Sequence, residues 1–112
     1  MEDIRDNFKN YELISPKGTG KLSASEIYGI FLNDMKNIKP KIQDGQSTLK
    51  KGGEKYHFAF QQRKLLSVTK MIGEKEIYMI RFEYILGKPQ KVFLKNIEFN
   101  SRYMLKYKGE DK

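Results

Sequence analysis

"EIYMIRFEYIL", residues Glu76 to Leu86, decides how this chain is to be read. Tyr78, Ile80, Phe82 and Tyr84 fall on one parity, and Ile77, Met79, Arg81 and Glu83 on the other. Side chains leave a strand on alternate faces, so this period of two predicts a β-strand with one aromatic, apolar side. The stretch is therefore the longest strand candidate in the chain.

The same period continues on both sides. Upstream, Tyr56, Phe58 and Phe60 alternate with His57 and Ala59, and a second run covers Lys64–Ile72 before Gly73-Glu74 marks a turn. Downstream, Leu86-Gly87-Lys88-Pro89 predicts another turn, followed by runs over Lys91–Phe99 and Arg102–Lys108. In the last run Tyr103, Leu105 and Tyr107 stand opposite Arg102, Met104, Lys106 and Lys108. Short turns between successive strands give an antiparallel meander of four or five strands over residues 56–108, with 109–112 a tail.

Towards the N-terminus the period lengthens. Ile4, Phe8, Tyr11 and Ile14 recur at helical spacing, and Pro16, Gly18 and Gly20 break the pattern. Ser23 with Glu26 fits a capping box, and Ile27, Ile30, Phe31 and Met35 form an apolar stripe after it, with Asn33, Asp34 and Lys36 away from it. Residues 37–55, broken by Pro40, Gly45, Gly52 and Gly53 and rich in lysine, read as a basic loop holding at most a short strand around Ile42. The expectation is one α+β domain over 1–112. Two N-terminal helices within 1–36 precede a four- to five-stranded antiparallel sheet or small barrel, on which they pack or which they plug.

"SPKGTGKLSASEI", residues 15–27, carries fragments of two binding loops. A phosphate loop needs glycine, four residues, Gly-Lys and then serine or threonine. Here Ser15 stands at the first position and Leu22 follows Lys21, so the backbone cradle and the magnesium-binding hydroxyl both fail. The segment 4–35 resembles a degenerate EF-hand, with Ser15, Lys17 and Thr19 at loop positions one, three and five. Gly20 takes the place of the turn glycine, Leu22 the apolar eighth position and Glu26 the twelfth. Ser15 and Lys17 replace the anionic oxygens that calcium requires, so the resemblance implies a hand without metal.

Composition narrows the function further. The chain of 112 residues has no cysteine, hence no disulfide, thiolate nucleophile or zinc–thiolate site. It has no apolar stretch approaching the ~18 residues of a membrane helix, and its acidic start does not read as a secretory signal. A cytoplasmic location without membrane attachment is expected. The net charge of +8 is uneven. Residues 1–35 hold four basic and six acidic side chains, and 36–112 hold eighteen and eight. A polyanion partner exploits such asymmetry. Catalysis has little to draw on, since His57 is the lone histidine, Glu74 and Glu76 flank a turn, and Glu83 and Glu98 are remote in sequence. No cofactor, no metal and no enzymatic activity are expected.

One constellation remains. Lys50, Lys51, Lys55, Tyr56, His57, Arg63 and Lys64 form one basic and aromatic cluster, and Arg102, Lys106 and Lys108 a second. Stacking and phosphate neutralisation need these residue types side by side. They point to a small non-enzymatic binding or regulatory protein for RNA or single-stranded DNA. The alternative is a protein-interaction module, an adaptor or inhibitor of the kind phages and mobile elements encode, working through the helical N-terminal part.

Overall fold

A computed structural model of the chain describes residues 10–13, 22–85, 88–98 and 100–108. Its elements are β1 (Tyr11–Leu13), α1 (Ala24–Ile38), β2 (Gly45–Lys51), β3 (Glu54–Gln61), β4 (Lys64–Ile72), β5 (Lys75–Ile85), β6 (Lys88–Asn96) and β7 (Ser101–Tyr107). The strands make one antiparallel sheet in the order β1-β7-β6-β5-β4-β3-β2, with α1 across one face. From β2 to β7 every strand pairs with its neighbour in sequence, and β1 then returns to the outer edge of β7.

This corrects the expected fold. The described residues contain one helix and seven strands, not two helices and four or five strands, and the sheet is open rather than barrel-like. Tyr11, expected at the end of a first helix, lies in β1 opposite Tyr107, and the two rings meet edge-on at 5.3 Å. A hydrogen-bonding edge on β7 outweighs the helical spacing at Tyr11. Ile4, Phe8 and Ile14 of that predicted helix and Ser15–Lys21 of the binding-loop fragments lie outside the described residues. Residues 45–51, expected within the basic loop, form β2, whereas Ile42 lies outside any strand and is exposed. Lys88 and Pro89, expected in a turn, belong to β6.

The capped helix forms as its sequence dictates. Ser23 Oγ accepts from Glu26 N–H, and the Glu26 carboxylate accepts from Ser23 N–H, which closes the capping box. At the other end Lys39 adopts a left-handed conformation, its N–H bonds the Met35 carbonyl, and Pro40 prevents continuation. The buried arc is Ile27, Tyr28, Phe31 and Met35. Ile30, expected in the stripe, is exposed, because at 3.6 residues per turn it stands about 115° from the centre of that arc.

Against this arc the sheet presents Tyr56, Phe58, Val68, Tyr78, Ile80, Phe82, Val92, Leu94 and Leu105, all buried. The parity expected for β5 holds for Tyr78, Ile80 and Phe82, which face inward, whereas Ile77, expected on the other side, packs against the core beside a bulge. Leu22, just before the helix, is clasped by β7. Its N–H donates to Ser101 Oγ at 3.1 Å and its carbonyl accepts from Tyr103 Oη at 2.6 Å.

A polar cluster fastens the far half of the helix. Asp34, expected on the outer side, accepts from Tyr78 Oη at 2.8 Å and from Lys70 Nζ at 3.2 Å. Lys70 also lies 3.5 Å from the Glu54 carboxylate and over the rings of Tyr56 and Tyr78. The short Tyr56–Glu54 hydrogen bond of 2.6 Å holds the carboxyl of Glu54 below its ordinary range, with help from Lys70. Burial pushes both Tyr56 and Tyr78 upward, and the neighbouring carboxylates add to the shift.

Candidate functional site

The sheet has a second face, which no described element covers. Strand register arranges it in rows that cross the strands. One outer row runs Glu12, Lys106, Lys91, Glu83. The other runs Glu76, Met71, Lys55, Lys50, the β5 bulge having turned Ile77 towards the core. Both outer rows mix charges of opposite sign.

The two central rows do not. From β7 to β2 the first reads Met104, Phe93, Arg81, Ser67, Ala59, Gln46. The second reads Arg102, Lys95, Met79, Thr69, His57, Thr48. They hold three cations and no carboxylate. At ~4.8 Å between strands they span roughly 24 Å.

The two halves of this band differ in chemistry. On β5–β7 the Arg81 guanidinium lies over the Phe93 ring, 4.4 Å from its centre, so the cation rests on an aromatic surface. Met79, Phe93, Lys95, Arg102 and Met104 line a depression of about 260 Å³ beside it. On β2–β4 the side chains are short and uncharged, which leaves an open trough of about 460 Å³ lined by Gln46, Thr48, His57, Ala59, Ser67 and Thr69. Thr48 Oγ1 and His57 Nδ1 are 3.0 Å apart across the β2–β3 pair.

The residues expected to form the site are divided by this geometry. Lys50, Lys55 and His57 lie at one end of the open face, and Arg102 and Lys106 at the other. Lys108 is exposed just beyond β7, its N–H bonded to the Asn10 carbonyl. Lys51 turns the other way and donates to the Asn37 carbonyl of α1. Tyr56 is buried in the core and offers no stacking surface. Arg63 occupies the β3–β4 turn, where its N–H bonds Asp44, and Lys64 lies over the ring of Tyr84.

Sequence reasoning passed over Arg81, Lys91, Phe93 and Lys95. Their signal was available, because Lys91, Phe93 and Lys95 alternate with Val92 and Leu94 and so share a face. Among the described residues no three histidine, aspartate or glutamate side chains are placed to hold a metal ion. No described helix is long and apolar enough to cross a membrane.

No known protein family, curated protein or solved structure matches the chain. The geometry of the open face therefore carries the functional argument alone.

Proposed function

We propose that the protein binds single-stranded nucleic acid, RNA or DNA, across the helix-free face of its sheet and performs no catalysis. The observation that carries this reading is the carboxylate-free central band, with Arg81 stacked on Phe93 and flanked by Lys95 and Arg102. Phosphates are attracted by the three cations, and unpaired bases gain a guanidinium plane and an aromatic ring to stack on. A duplex hides its base faces and gains only the charge. The mixed outer rows keep the attraction centred on the band.

Fluorescence anisotropy with labelled RNA, single-stranded DNA and duplex, at about 50 and 200 mM salt, tests the reading. Both single strands bind more tightly than the duplex, and log affinity falls with log salt by about 0.7 for each phosphate neutralised. The double variant Lys95→Ser, Arg102→Ser binds weakly and with a shallower salt slope. Absence of binding to all three probes, or full affinity in the double variant, overturns the proposal.

A further inference from the structure

We infer that the ribose 2′-hydroxyl is read in the trough on β2–β4, and that the ligand is RNA rather than DNA. This rests on the single-strand reading above and concerns the half of the band that charge does not explain. A strand lying along the central rows reaches the trough after the stacked Arg81 and Phe93, because the same rows continue without interruption into Ser67 and Thr69, then Ala59 and His57, then Gln46 and Thr48.

The trough has no cation for a phosphate and no exposed aromatic ring, apart from the imidazole of His57, on which a base could stack. What it has is hydrogen-bonding groups that both donate and accept: the hydroxyls of Thr48, Ser67 and Thr69, the imidazole of His57 and the amide of Gln46. With His57 Nδ1 engaged by Thr48, Nε2 is the ring nitrogen left for a ligand. The 2′-hydroxyl is itself one donor and one acceptor, and it is the group by which a protein tells RNA from DNA. A deoxyribose has only a hydrogen in its place and leaves these polar groups without a protein–ligand hydrogen bond. The trough takes two of the band's five interstrand gaps, about 10 of its ~24 Å, so about two nucleotides lie there of a footprint of about four, the low end for folds that bind single strands.

The test compares oligonucleotides that differ only at the sugar: oligouridine, oligodeoxyuridine and 2′-O-methyl oligouridine of equal length, in the same salt. The native protein binds the ribo-oligomer about tenfold more tightly than the deoxy-oligomer, the worth of one or two net hydrogen bonds. The 2′-O-methyl oligomer, which keeps an acceptor but loses the donor, falls between them or below both. In the double variant Thr48→Val, Thr69→Val the ribo preference drops to within twofold, while affinity for the deoxy-oligomer is unchanged. Valine is at home on a strand, and the retained deoxy binding reports that the face is intact. Equal binding of ribo- and deoxy-oligomers by the native protein overturns the inference and leaves the single-strand reading standing, as does an unaltered ribo preference in the double variant. If neither oligomer binds, the single-strand reading itself falls, and this inference with it.

Discussion

Lys70 places one positive charge between the carboxylates of Asp34 and Glu54 and beside two phenol rings, and its neighbours give the protein two pH-sensitive limbs. Tyr78 and Tyr56 are raised above the ordinary phenol value of 10, chiefly by burial. Their neutral forms are favoured in the folded state, so their stabilisation is complete below pH 10 and declines as pH climbs past it. Glu54 is lowered from 4.5, chiefly by the Tyr56 hydrogen bond. Its contribution is present above that pH and is lost as pH falls towards the folded value. Urea unfolding across pH checks the alkaline limb through Tyr78→Phe. The variant loses about 1 kcal/mol at neutral pH with the hydrogen bond to Asp34, and its stability declines less above pH 10 than that of the native protein. Parallel decline in the two proteins would show that Tyr78 does not titrate as assigned.

The helix α1 is the element most completely written in the sequence. Ser23 and Glu26 mark its start in the sequence, and both hydrogen bonds of the box are present. Replacing Ser23 with alanine leaves the Glu26 amide without its side-chain partner, and thermal unfolding should register a loss of about 1 kcal/mol. The strands β3 to β7 were legible for a related reason, since one face of each is buried and the apolar parity shows it. β2 was not. Six of its seven residues are exposed, with only Leu49 partly buried, so "GQSTLKK" has no apolar alternation to detect. Its one signal lay in Gly52-Gly53, a two-residue turn between Lys51 and Glu54 in which Gly52 has φ +63°. β1 was illegible because its three residues are fixed by the free edge of β7, a tertiary demand with no local trace. The candidate site divides along the same line. Its ends, Lys50, Lys55, His57, Arg102 and Lys106, could be named from composition. Its centre showed in the sequence only as the shared face of Lys91, Phe93 and Lys95, and the contact of Arg81 with Phe93 needs the register that lays β5 beside β6.

At the scale of the molecule the sheet is ordered from a protected middle to two exposed margins. β5 pairs with β4 over Lys75–Arg81 and with β6 over Tyr78–Ile85, whereas β1 and β2 each have one partner. Native-state hydrogen exchange should follow this order, with inward-paired amides of β4–β6 slowest and those of β1 and β2 fastest. Uniform protection across all seven strands would contradict it. The clasp on Leu22 has a further consequence for synthesis. The ribosome makes α1 early, yet the side chains that bind the residue before it, Ser101 and Tyr103, come 79 and 81 residues later. The edge that pairs with β1 also belongs to β7. A nascent chain can build its hairpins one after another and pack Tyr28 on Phe82 of β5, but Leu22 and β1 find their partners only once β7 has left the exit tunnel. One strand thus fastens both the residue ahead of the helix and the far edge of the sheet.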